Sequence, residues 1–121
     1  MEYFIIALQL IVGISLLNVW LMQPNKPSKW RGGNAQTLKE EFQVYGLPDV
    51  LFYVIGFLKV GFAILLLASI YFTAYAAIAA YVLAFFLSGS VVMHIKIKDP
   101  MYKSFPAVLF LSMCLVIALL N

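Results

Sequence analysis

Apolar residues run almost unbroken through four stretches of the chain: Tyr3 to Met22, Val50 to about Ser69, Ala74 to Ile95 and Phe105 to Leu120. A helix of about 20 residues, rising about 1.5 Å per residue, crosses a hydrocarbon core about 30 Å thick. The first three stretches are long enough, and the fourth needs an earlier start, near Met101 or Lys103. The pattern therefore predicts an all-α integral membrane four-helix bundle, a single domain over 1–121 with helices at about 3–22, 48–70, 74–96 and 103–120. Stretches two and three are separated only by SIYFTAY, which holds no charge, Gly or Pro. One helix through both would run about twice the bilayer thickness, so a tight turn is expected near Tyr71 to Thr73.

Composition agrees with this class, with 64% of residues hydrophobic and 11% charged, against about 25% charged in soluble domains. The first stretch reads as a retained helix and not as a cleaved leader. Glu2 stands where a basic n-region would, the apolar run is too long, and no small-residue cleavage site precedes Gln23.

Between the first two stretches lies QPNKPSKWRGGNAQTLKEEFQVYGLP, residues 23–48. Pro24 ends helix one, and Gly32 and Gly33 permit a tight turn. Thr37 followed three residues later by Glu40 has the form of a capping box, which predicts a short interfacial helix within about 34–45. At roughly 100° per residue from Leu38, Phe42 and Tyr45 share its apolar face. Glu41 falls within about 60° of that face and Glu40 points away. Gly46 should stop the short helix, and Pro48 with Asp49 should start the next, where a carboxylate suits the positive end of the helix dipole.

Charge placement sets the expected orientation. Lys26, Lys29, Arg31 and Lys39 fall in the first connection and Lys96, Lys98 and Lys103 at the third, while the opposite side has no Lys or Arg. The positive-inside rule then puts both connections in the cytoplasm and both termini outside a cytoplasmic (inner) membrane. Glu40, Glu41, Asp49 and Asp99 share the basic side, so lipid headgroups account for most of the net charge of +3 and nucleic acid need not be invoked. Trp20, Trp30, Tyr45, Phe52, Tyr53 and Tyr102 are expected as anchors at the inner interface. Tyr3, Tyr71, Phe72 and Tyr75 are expected at the outer one. Ala76, Ala80, Ala84 and Ser88 repeat every four residues, a stripe of small side chains that suits close helix packing.

One charge, Lys59, falls inside a predicted span, where ionisation costs about 2.5 to 3.5 kcal/mol even on the lenient insertion scale. Helical side chains lean toward the helix N-terminus, so Lys59 should reach toward the inner leaflet. Asn18, Ser90, His94 and Glu41 fall at similar depth, and with Lys59 they form the candidate ligand-binding set. The competing reading of Lys59 is a buried salt bridge to Glu41 that latches the short helix to the bundle. His94 is the sole histidine, which excludes a multi-histidine metal site. Cys114, the sole cysteine, has no resolving partner for thiol redox chemistry. WRGGN lacks the lysine and spacing of a phosphate loop.

The segments EEFQVYGLPDVLFYVIGFLKVGFAILLL, VVMHIKIKDP and a Pro-led last helix resemble the DoxX-like family of small four-helix membrane proteins. The sharper parts are YGLP, GFLKVGFAILL with Lys59, and HIKIKDP with His94. Many relatives in the wider superfamily carry an acidic residue where this chain resembles a lysine-bearing branch. The resemblance implies redox-linked membrane complexes, such as a subunit resembling that of thiosulfate:quinone oxidoreductase, or more distantly membrane chaperones. Three functions follow as expectations. The favoured one is a non-enzymatic binding or accessory subunit whose inner-leaflet pocket holds a lipid-like or quinone-like molecule. The second is a quinone-linked oxidoreductase subunit with a partner that carries the redox centre. The third is an assembly protein. No activity is expected of this chain alone, and no resident cofactor or metal. The expected partners are the bilayer, a membrane or redox protein, and a second copy of the chain.

Overall fold

The computed structural model describes residues 2–22, 25 and 31–120. Pro24, Lys26, Lys29 and Trp30, which figure in the expectations above, lie outside the described residues. Helix α1 spans Glu2–Leu17 and continues as a wider π turn over Asn18–Met22. Helix α2 is the short Leu38–Val44, and α3 is Asp49–Ala68. A 3-10 turn at Thr73–Tyr75 leads into α4, Ala76–Lys96, and another at Met101–Ser104 leads into α5, Phe105–Leu120. Among the described residues four segments are long and apolar enough to cross a membrane: Tyr3–Met22, Asp49–Ala68, Thr73–Lys96 and Met101–Leu120.

The four long helices form a ring in which α1 packs on α3 and α5, and α4 packs on the same two. In lipid the hydrophobic effect does not drive helices together, so close van der Waals contact must do so. The core is accordingly dense, with Val12, Leu66, Leu83, Cys114 and Ile117 fully buried. Ala76, Ala80 and Ala84 of the small-residue stripe are buried in it, and half-buried Ser88 donates to the Ala84 carbonyl at 2.8 Å. Gln9, an uncharged polar residue in the middle of α1, is also buried. Its amide donates to Ser69 at 2.8 Å, and Ser69 in turn donates to the Leu66 carbonyl, which satisfies the pair.

Local signals explain the connection before α3. The Thr37 hydroxyl accepts from the Glu40 amide at 3.1 Å and caps α2, as the box predicts. The Glu40 carboxylate reaches one residue further back than the motif requires and accepts from the Gln36 amide at 2.7 Å. The turn between α3 and α4 runs through Ser69 to Phe72, closed by the Tyr71 and Phe72 amides on the Ala68 carbonyl.

Gly13 marks the tightest approach of α1 to α3. A Cβ there would lie 2.6 Å from the Leu67 side chain and 3.3 Å from the Ala63 carbonyl oxygen, whereas Gly61 has open space around it. Both positions are helical, so an alanine gains similar helix propensity at each. Gly13→Ala should therefore lose about 1 to 3 kcal/mol to overpacking, and Gly61→Ala should be neutral or stabilising. Unfolding in mixed micelles by SDS titration checks the pair, and equal effects would contradict the close α1–α3 approach.

Candidate functional site

Two helix stops build the site. At the end of α2 the Gly46 amide bonds to the Gln43 carbonyl and the Leu47 amide to that of Phe42, with Gly46 in the left-handed region at φ 82°. At the end of α4 the Lys98 amide bonds to Ile95 and the Asp99 amide to His94, with Lys98 left-handed at φ 58°. Both are Schellman stops, the second made without glycine and followed at once by Pro100. The reversal carries the Asp99 carboxylate back over its own helix, and Oδ2 lies 2.7 Å from His94 Nδ1.

From there a chain of polar contacts ties the first connection to α4. The Gly33 amide donates to both Asp99 oxygens, at 3.0 and 3.3 Å, and Lys103 Nζ donates to the Gly33 carbonyl at 2.7 Å. Gly33 holds φ 54°, and a Cβ on Gly32 would meet the Tyr45 ring at 2.7 Å. The glycine pair is thus a docking point as well as a turn. His94 Nε2 lies 3.3 Å from the Tyr45 hydroxyl, which donates to Glu41 Oε1. Glu41 Oε2 lies 3.7 Å from Arg31, and both side chains are buried or nearly so. Lys96 Nζ adds a bond to the Tyr45 carbonyl at 3.1 Å. Buried first of all, and beside the Glu41 carboxylate second, the Tyr45 phenol is pushed well above its ordinary value of 10.

Beneath this network lies a cavity of about 360 Å³, at the lower end of the range for small-molecule sites. Its polar end is formed by Arg31, Glu41, Tyr45, His94 and Lys103, and Lys59 and Ser90 enter from α3 and α4. The rest of the wall is apolar, with Leu16 and Val19 from α1, Phe86 and Leu87 from α4, and Phe110 from α5. Phe85 and Gly89 also belong to the lining although both face outward, so the cavity opens on the side of the bundle along α4.

Lys59 is 7% exposed. No hydrogen bond or ion pair joins it to another described residue, and its ammonium sits over the Trp20 ring, 5.5 Å from the centroid. Trp20 comes from the π turn of α1 and fits against α3 because residue 56 is glycine, where a Cβ would approach the indole to 2.6 Å. The same indole packs edge-on against Phe42 and beside Phe52, so α2 closes the cavity with an aromatic roof.

Of the residues singled out by sequence, Lys59, Glu41, Ser90 and His94 share this cavity, and Asn18 does not line it. Asn18 falls at the start of the π turn, which rotates the following residues and brings Val19 and Trp20 inward instead. The direct Lys59–Glu41 latch is not formed, because Glu41 is held by Arg31 and Tyr45. Trp20 and Tyr45, expected as interface anchors, are cavity residues. Arg31, Tyr45, Asp99 and Lys103 were not recognised as site residues. The signal that could have found Asp99 is its place after a left-handed helix stop, five residues from His94. Among the described residues no three His, Cys, Asp or Glu side chains gather as a metal site.

Two tests follow. Asp99→Ala removes charge-assisted bonds to His94 and Gly33, and should cost about 1 to 3 kcal/mol while accelerating hydrogen exchange at the Gly33 amide. Unchanged exchange there would contradict the docking. The raised Tyr45 phenol stays protonated in the folded state while the unfolded chain ionises near 10. Its contribution to stability is therefore complete below pH 10 and declines above it. Tyr45→Phe should flatten that alkaline decline, measured as denaturation midpoints between pH 9 and 11.

A family model described as the DoxX-like family matches residues 31–117, well over half of the chain. No curated protein and no solved structure matches it. The matched region runs from Arg31 through α2, α3 and α4 into α5, and so contains the glycine docking point, Lys59, and the His94–Asp99 stop. The chain belongs to the DoxX-like family.

Proposed function

We propose that this DoxX-like membrane protein is a non-enzymatic binding or accessory subunit whose cavity holds a lipid-like or quinone-like molecule. It sits in a cytoplasmic membrane with both termini outside, so that the cavity and its roof α2 face the inner leaflet. The observation that carries this reading is Lys59, a buried cation at the wall of a largely apolar cavity, with no hydrogen bond or salt bridge to a carboxylate of the described residues. A lysine in that setting destabilises the empty bundle, so its presence is explained by something that enters the cavity. The lateral opening beside Phe85 and Gly89 supports entry from the bilayer by a molecule with an apolar tail. Ligand handover to a membrane or redox partner is the accessory role that such a site would serve.

Native mass spectrometry of protein extracted gently from its own membrane tests the reading. A discrete small-molecule adduct is expected on the wild type and its loss is expected in Lys59→Met. The methionine relieves an unpaired buried charge with a side chain of similar length, so the variant should unfold at the same or a higher midpoint. An adduct retained by a folded Lys59→Met, or bare protein in both samples, would overturn the proposal.

A further inference from the structure

We infer that the cavity selects an amphiphile with an anionic head, a carboxylate or a phosphate ester, over a neutral molecule of the same chain length; the inference rests on the binding function proposed above. Glu41 accepts from Tyr45 and pairs with Arg31, and Asp99 is held by His94, Gly33 and Lys103. Asp49 lies on the surface beside Lys39, at 3.8 Å, and Glu40 is bonded to the Gln36 amide. Each of these four carboxylates has its bonded partners away from Lys59, and Glu41, which acts on the lysine through space, makes no salt bridge to it. Its ammonium lies over the face of an indole, which attracts a cation but falls well short of a full counter-charge.

Of the cations at the cavity wall, Arg31 pairs with Glu41 and Lys103 with Asp99, which leaves the charge of Lys59 without a salt bridge among the described residues. A neutral carbonyl could accept one bond from Lys59 and would leave the excess positive charge in place. An anionic head accepts the same bond, strengthened by charge, and removes the excess. The apolar wall and the lateral opening let the tail of such a molecule run out into the bilayer, so the head is what the site discriminates.

The test uses Trp20 as the reporter, since its ring lies under the Lys59 ammonium. The chain has two tryptophans, and a Trp30→Phe background leaves Trp20 as the single indole. The protein is placed in phosphatidylcholine nanodiscs and titrated separately with oleate, oleoyl lysophosphatidate and oleyl alcohol while Trp20 emission is followed. Lys59→Met in the same background reports unspecific partitioning. The expected result is a saturable change with at least one of the two anions, at concentrations at least tenfold below any response to the alcohol, and no such preference in Lys59→Met. Tighter binding of oleate would identify a free carboxylate as the head recognised, and tighter binding of the lysolipid a phosphate headgroup. Equal, saturable binding of the alcohol and the anions would overturn charge selection and leave the binding function standing. No saturable response to any of the three would overturn both.

Discussion

The commitment of Asp99 to His94, Gly33 and Lys103 is the interaction on which the rest of this structure depends. It fixes the residues just before α2 against the end of α4, and that placement sets where Tyr45 and Glu41 lie. Tyr45 bridges His94 and Glu41, and Arg31 completes the pairing of Glu41. The acidic groups at this end of the bundle are therefore used in holding α2 in place. Lys59, a short distance below, is left with an aromatic ring. Docking of the connection and isolation of the buried lysine are thus two consequences of one arrangement of charges.

That arrangement separates two roles that a bundle of this size could easily have merged. Had Glu41 reached Lys59, one ion pair would have latched α2 and neutralised the cavity together, and the interior would offer little to a ligand. Instead the latch uses groups next to the Schellman stop of α4, and the cavity keeps a cation of its own. Glycine makes this geometry accessible at three points: Gly32 and Gly33 let the connection lie against Tyr45 and Asp99, and Gly56 admits the Trp20 ring beside Lys59. The small cavity is thus a product of backbone features at its rim as much as of its lining.

The membrane spans were legible because long apolar runs carry a strong, local signal. The Thr37 cap and the Gly46 stop were legible for the same reason, being set by residues a few positions apart. The depth argument placed Lys59, Glu41, Ser90 and His94 at one level, and they share one cavity. It failed for Asn18, at the start of the π turn, because depth along a helix does not say which face a side chain occupies. Asp99 and Gly33 were missed as partners because their bond joins positions 66 residues apart. Trp20 and Tyr45 are expected at the interface from residue type alone, whereas their place in the cavity lining depends on where α2 packs. Gln9 was passed over as one polar residue in an apolar run, and its partner Ser69 lies on another helix.

The cavity is proposed as a ligand site, with Lys59 its cation. A high-resolution structure of the protein in nanodiscs made directly from its native membrane tests it most directly. Continuous density is expected inside the cavity, with its polar end within hydrogen-bonding distance of Lys59 Nζ and Glu41 still bonded to Tyr45. A closed, empty cavity in which Lys59 has turned to pair with Glu41 would contradict it and make the lysine part of the latch.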